Sequence, residues 1–458
     1  MSAGDQQPVS TPPWRESAVR AALGLARGGD DRLFSAISTD TRAIPAGGLF
    51  VALSGDRFDG HDFLPAAASA GAAAAVVRRG TPAIPGLPLF EVPDTLRAFG
   101  ALAHARRAAL AGPVVAITGT NGKTSTKEML AAALRTRYVT WATRANNNNL
   151  VGVPLTILEA PGHTEALVVE AGANLPGEIA RYREIIEPGI VVITNAVAGH
   201  LEGFGSLNGV VEEKLSLADG VELAVVGLDP PALAAGARTR ARRVRTAALQ
   251  GADLVPERVE LGDDARPLVT IGGTSFRLAA RGLHQADNAV RVWAVAEELG
   301  LDLRDVAGAL EAFTLPSGRG ELLQLGRLTV LNDSYNANPQ SFRAAIATAR
   351  SLQGSRRLVF VAGTMRELGA ASASLHAKVA RELVDLGADL LAVVGDFVPS
   401  LEPYRKQLGD RLVTAGDPLT LAPLLSDRLR GDEVVVLKAS RGVALERILP
   451  ALKAAALT

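Results

Sequence analysis

The chain has 458 residues, 48% of them hydrophobic and 21% charged, with 48 Lys and Arg balanced by 48 Asp and Glu and no cysteine. That composition describes a globular protein of about three domains and excludes a disordered chain, the basic footprint of a nucleic-acid binder, disulfides and thiolate metal sites. No basic-then-apolar signal opens the chain, and its longest weakly polar run, residues 66–77, is too short to cross a bilayer, so a soluble cytoplasmic protein is expected.

Residues 1–14 are polar and Pro-containing, and a small α/β domain is expected from there to residue 112. It holds Ser38-Thr39-Asp40-Thr41-Arg42, strands near Leu49–Leu53, Ala74–Val77 and Leu89–Val92, and a helix over 94–110. Asp40, Thr41 and Arg42 suit either an anionic ligand, with Arg42 as the fork, or a turn with a surface ion pair.

A break at Ala111-Gly112-Pro113 opens a second domain, 113–315. Val114–Thr118 reads as a buried parallel strand, Gly119-Thr120-Asn121-Gly122 as a turn, and Lys127–Leu134 as a helix. Strand, glycine turn and helix make a phosphate cradle: backbone N–H groups face the anion, Lys123 reaches the terminal phosphates, and the Thr124 hydroxyl, followed by Ser125, is placed for Mg²⁺. The pattern lacks one element, since Ile117 stands where the first glycine of the phosphate loop belongs.

Further strands are expected at Ala166–Glu170, Ile190–Thr194, Leu223–Val226 and Leu268–Ile271, with helices between them, which is the signature of a doubly wound, mostly parallel sheet. Ligands then belong at the carboxyl ends of the strands. Glu170 falls there, as a metal ligand or a helix-capping acid, and so does His200 in the loop after a later strand. Lys214 follows Glu212 and Glu213 on a helix and by itself would be a solvated side chain, yet the chain has only seven lysines, so Lys123 and Lys214 stand out.

The Gly/Pro-rich stretch Leu315–Gly320 marks the last boundary, with a third α/β unit over 316–458. Its strands are expected at Leu328–Leu331, Leu358–Val361, Leu390–Val394 and Glu433–Leu437. Asp333-Ser334-Tyr335-Asn336-Ala337-Asn338-Pro339 follows the first of them, as a capping turn or a polar site.

Taken together, these segments resemble the Mur ligase family of peptidoglycan synthesis. The similarity runs from about residue 38 to 447 and is carried by Ser38–Arg42, Phe58–Phe63, Thr118–Thr124, Asn147-Asn148-Asn149, Glu170–Asn174, His200–Ser206 and Asp333–Pro339. It implies three domains: an N-terminal α/β domain for a UDP-linked substrate, a central P-loop domain for ATP, and a C-terminal Rossmann-like α/β domain. The implied reaction is ATP-dependent formation of an amide between UDP-N-acetylmuramoyl-tripeptide and D-alanyl-D-alanine through an acyl phosphate.

By that resemblance Lys123, His200 and Lys214 are catalytic, and Thr118 to Ser125, Asn288, Arg319, Asp333 and Asn336 contact ATP. Ser38, Asp40, Thr41, Arg42, Asn148 and Asn149 meet the UDP-linked substrate. Thr124, Glu170, His200 and a carbamylated Lys214 hold two Mg²⁺ ions, and the enzyme is a cytoplasmic monomer. Gln285, Asn332, Thr364 and Ala439 depart from the family pattern, which usually has Asn, an acid, Asp and Gly there. Of the alternatives, the ligase adding the third amino acid carries an Asp-Asn-Pro-Arg motif absent here, and a P-loop GTPase carries an equally absent Asn-Lys-x-Asp motif. A relative that binds nucleotide without ligating leaves Lys123, Glu170, His200 and Lys214 unexplained.

Overall fold

The computed structural model describes residues 13–28, 31–55, 58–199 and 201–456. One unit holds Met1–Ala116, Arg137–Ala173 and Gly177–Ile190; the other holds Ile117–Thr136, Asn174–Pro176 and Val191–Thr458.

In the first unit, β1 (Ile37–Ser38), β2 (Leu49–Val51), β3 (Ala74–Arg78) and β4 (Leu89–Val92) form a parallel sheet in chain order. Leu49 to Val51 and Ala74 to Val77 are buried throughout, as strands covered on both faces must be. Helix α1 (Thr95–Ala108) starts where the Asp94 carboxylate accepts the Leu96 and Arg97 N–H groups, at 2.8 and 2.9 Å.

The next sheet contains β5 (Val114–Thr118), followed by α2 (Lys123–Leu134), β6 (Thr140–Ala142), α3 (Gly152–Leu158), β7 (Ala166–Glu170), α4 (Glu178–Ile186), β8 (Ile190–Ile193), α5 (Leu207–Leu215), β9 (Leu223–Val226) and β10 (Arg243–Thr246). Strand order is β6-β7-β5-β8-β9-β10, so the winding reverses at β5. The glycine turn follows β5.

The expected strand over Leu268–Ile271 exists but belongs elsewhere. β11 (Arg258–Leu261), β12 (Pro267–Ile271) and β13 (Thr274–Arg277) form a separate antiparallel sheet. The two-residue turn Gly272-Gly273 permits only an antiparallel return, and β12 alternates buried and half-buried positions, as a one-sided sheet does. Helices α6 (Leu283–Glu298) and α7 (Leu303–Ala312) then pack on α2.

The C-terminal sheet runs β14-β15-β19-β16-β17-β18, from β14 (Glu321–Leu325), β15 (Leu328–Asp333), β16 (Leu358–Ala362), β17 (Leu390–Val394), β18 (Leu412–Ala415) and β19 (Val434–Lys438). It is parallel except for β14, which returns as a hairpin to β15. Side chains alternate between two cores: Phe360 packs under α8 (Pro339–Gln353) and α9 (Ser372–Leu386) with Phe342 and Phe397, while Val359 and Val361 face α10 (Pro418–Ser426). No described helix is long and apolar enough to cross a membrane.

Candidate functional site

The phosphate loop is shaped from below by the residues after β8. Thr194 N–H donates to Thr118 O at 3.0 Å, and its hydroxyl donates to Asn121 O at 2.6 Å. Thr120 N–H donates to Asn195 O at 3.0 Å, and Asn121 N–H to the Asn195 side chain at 2.9 Å. Gly119 has φ 145°, and a Cβ there would fall 1.9 Å from the Thr194 hydroxyl, so only glycine fits. α2 opens at Lys123 behind Gly122, rather than at Lys127, and buries Thr124, Ser125 and Thr126 in its first turn. Its first N–H groups have no helical carbonyl to meet, and the helix dipole adds positive charge. Lys123 Nζ lies over the loop, donating to Gly119 O at 2.7 Å and Thr120 O at 3.1 Å. An anion is a stronger partner than either carbonyl.

A buried polar chain backs the loop. Gln285 Nε2 donates to Ser125 Oγ at 3.3 Å and Gln285 Oε1 accepts from Asn288 at 3.2 Å. Asn288 in turn accepts from Arg291 at 3.3 Å, and Arg291 pairs with Asp287. The glutamine that stands in place of the family's usual asparagine thus reaches a hydroxyl in the first turn of α2.

The loop tip is tied to the start of α8. Asn121 and Asn338 exchange amide hydrogen bonds of 3.1 and 2.6 Å, and Asn121 Nδ2 also donates to Gln340 Oε1 at 2.7 Å. Gln340 reaches on to Asp229. Asn338 simultaneously caps α8 by accepting the Ser341 N–H at 2.9 Å. Sequence reasoning did not assign Asn338 or Gln340 to the site; their one local signal was an Asn-Pro helix start.

Where β15 ends, Asp333 pairs with Lys438 at 2.6 Å, and Lys438 also donates to Asn336 O at 2.8 Å. Asn336 itself is exposed. Arg319 lies over the Tyr335 ring at 3.9 Å. Asn332, where the family usually carries an acid, donates to Glu321 at 3.2 Å and accepts from Ser334 at 2.7 Å. An amide can bridge a carboxylate and a hydroxyl; a second carboxylate would repel the first.

Lys214 is not solvated, as its acidic neighbours suggested. It is 1% exposed, with Nζ 5.3 Å from the Phe204 ring, while Glu212 points away to Arg240. His200 lies outside the described residues.

The first unit holds the remaining candidates. Glu170 ends β7 fully buried and accepts from Asn148 at 2.8 Å; the helix that follows is capped by Gly177 instead. Asn149 accepts the Val151 and Gly152 N–H groups at 3.1 and 2.8 Å, starting α3. Ser38 Oγ takes the Asp40 N–H at 3.1 Å, and Asp40 binds Arg42 at 2.7 Å on the surface, beside half-buried Thr41. Hydrogen bonds from Arg42 hold the Asp40 carboxyl down to about 2. The turn with a surface ion pair is therefore what this segment forms on its own.

Three family profiles match the chain: "Mur ligase family, catalytic domain" over residues 33–107, "Mur ligase middle domain" over 117–296, and "Mur ligase, glutamate ligase domain" over 318–441. The UDP-N-acetylmuramoyl-tripeptide--D-alanyl-D-alanine ligase of Bacillus subtilis is 32% identical, covering 90% of this chain and 92% of that one. A crystal structure of MurF from Acinetobacter baumannii superposes with a TM-score of 0.89 at 28% identity, over 97% and 100% of the two chains. MurF from Thermotoga maritima, solved in complex with ADP, gives 0.81 at 27% identity, over 92% and 98%.

Proposed function

Because the chain belongs to the Mur ligase family, we propose that it joins D-alanyl-D-alanine to UDP-N-acetylmuramoyl-tripeptide at the expense of ATP, as a cytoplasmic, monomeric enzyme of peptidoglycan precursor synthesis. The phosphate loop carries this reading: a strand, a glycine turn fixed by Thr194 and Asn195, and a lysine held over the mouth. The relatives' names supply the substrates, and the bounds of the family profiles support domains at 1–112, 113–315 and 316–458.

Phosphoryl transfer to the tripeptide carboxylate and collapse of the acyl phosphate both gather negative charge, so donors must already be in place. Lys123 exchanges its two carbonyl partners for the transferring phosphoryl group. The N–H groups of the loop and of the first turn of α2, between Thr118 and Ser125, hold the remaining phosphate oxygens. Asn288, Arg319, Asp333 and Asn336 seat the nucleotide. Ser38, Asp40, Thr41, Arg42, Asn148 and Asn149 meet the UDP-linked substrate, with Arg42 leaving Asp40 for phosphate.

The hydroxyl of Thr124 and the carboxylate of Glu170 are hard oxygen donors that suit Mg²⁺, and His200 with a carbamylated Lys214 would hold a second ion. Mg²⁺ there would neutralise phosphate charge. The burial of Lys214 supports the carbamate, which turns a cation into an anion. Lys214→Ala should then lose activity that bicarbonate sustains in the unmodified protein, and full activity in Lys214→Ala would remove the residue from the mechanism. The reading as a whole is tested by mixing purified protein with ATP, Mg²⁺, UDP-N-acetylmuramoyl-tripeptide and D-alanyl-D-alanine. ADP and a product heavier by one dipeptide less water are expected; extension of the UDP-linked dipeptide by a single amino acid would replace this reading with that of the preceding ligase.

A further inference from the structure

We infer that Arg366 recognises the free carboxylate of the incoming dipeptide, an inference that rests on the ligase reading above. Arg366 sits in the loop that follows β16, and that loop is fastened on several sides. Met365 N–H donates to His376 Nε2 at 2.9 Å, and the buried imidazole donates through Nδ1 to Ser372 O at 2.8 Å. Thr364 Oγ1 accepts the Asp396 N–H at 3.0 Å. Ser440, in the turn after β19, donates its N–H to Thr364 O at 3.1 Å and accepts the Arg366 N–H on its hydroxyl at 2.9 Å. The Arg366 side chain therefore springs from a fixed backbone.

Its guanidinium is nonetheless exposed, and among the described residues it makes no hydrogen bond or ion pair. It lies across Gly442, where a Cβ would fall 2.5 Å from Nη1 and 2.7 Å from Cζ. Glycine at 442 keeps that resting place open. Thr364, where the family usually has Asp, leaves Glu367 as the acid of this loop, and no hydrogen bond or ion pair joins it to Arg366 among the described residues. The other guanidinium of the same edge, Arg441, is already engaged, at 3.5 Å from Glu446 and 5.5 Å from the Tyr335 ring.

The position is that of a ligand group. β16 and β19 are parallel neighbours, paired from Leu358 with Val434 to Ala362 with Lys438, so both loops leave the carboxyl edge of the sheet, where such folds bind ligands. The loop's far end meets the segment after His200: Glu202 N–H donates to Glu367 O at 3.4 Å. An acceptor dipeptide has one amine, which attacks, and one carboxylate, which remains. A planar fork with five donors matches that remaining carboxylate.

The test compares ligation of D-alanyl-D-alanine and of its C-terminal amide by the full-length protein and its Arg366→Gln and Arg366→Lys variants. Arg366→Gln is expected to raise KM for the acid roughly 10- to 100-fold, to leave KM for the UDP-linked substrate nearly unchanged, and to erase the preference for acid over amide. Arg366→Lys should keep part of that preference. Gly442→Ala, which displaces the guanidinium, should raise the same KM in the unmodified protein and add nothing in the Arg366→Gln background. An acid-to-amide preference equal in Arg366→Gln and the unmodified protein would overturn the role of Arg366 while leaving the ligase reading intact. Failure of the unmodified protein to ligate either acceptor would end both.

Discussion

Asn338 does two jobs, and two substitutions separate them. It caps α8, and it exchanges amide hydrogen bonds of 2.6 and 3.1 Å with Asn121 at the tip of the phosphate loop. Asn338→Ala removes all three. An Asn cap contributes about 1 kcal/mol, and two part-buried amide bonds about 1 kcal/mol each. Asn121 keeps its 2.7 Å bond to Gln340, which limits the loss, so about 2–3 kcal/mol of stability should disappear. Asn338→Asp differs, since Asp caps as well as Asn but loses the donor and turns an oxygen toward Asn121 Oδ1. Flipping the Asn121 amide would break its bond to Gln340, so the strain stays at the loop, at about 1–2 kcal/mol. Urea unfolding should show Asn338→Asp about 1–2 kcal/mol less stable than the unmodified protein and Asn338→Ala about 2–3 kcal/mol less stable. Calorimetric titration with ATP should show both variants weakened, Asn338→Asp by about 5- to 30-fold. If Asn338→Asp binds ATP as the unmodified protein does, helix α8 does not order the loop.

Three other outcomes follow from the same geometry. Asn332→Asp sets a carboxylate against Glu321, 3.2 Å from the present amide; it should destabilise by about 1–3 kcal/mol at pH 8 and recover on acidification, as read by thermal unfolding at pH 8 and 5. Burial pushes the His376 imidazole below its ordinary value, so the unfolded chain binds the proton more readily. Stability should be intact above pH 6.5 and fall as the pH drops below it, and urea midpoints of His376→Asn should lack that slope. Gly119→Ala must move the Thr194 hydroxyl off its 2.6 Å bond to Asn121 O and strain a positive φ, costing about 2–4 kcal/mol and nucleotide binding; a wild-type melting curve would contradict the packing described.

Much of this architecture is visible in the chain because buried parallel strands are continuous apolar runs. Ala166–Glu170, Leu223–Val226 and Leu390–Val394 have the same bounds in sequence and structure. The glycine turn was legible for a related reason: few contexts place Gly, Lys and Thr between such a run and a helix. Edges were harder. Thr140–Ala142 is short, and Glu321–Leu325 mixes polar and apolar residues, so neither looks like a core strand. The first turn of α2, with three hydroxyl residues, has weak helix propensity and forms through burial. Long-range partners left no local trace: Asn121 and Asn338 are 217 positions apart. Lys214 reads as solvated beside two acids until Phe204, from a separate helical turn, covers it.

Labelling the terminal carboxylate of the UDP-linked tripeptide with oxygen-18 examines the proposed chemistry most directly. During ligation with ATP and D-alanyl-D-alanine, one labelled oxygen should pass to inorganic phosphate and the other remain in the new amide. Label appearing in AMP, or phosphate released without any, would mean that the carboxylate is not activated by the phosphoryl group that the loop around Lys123 is built to deliver.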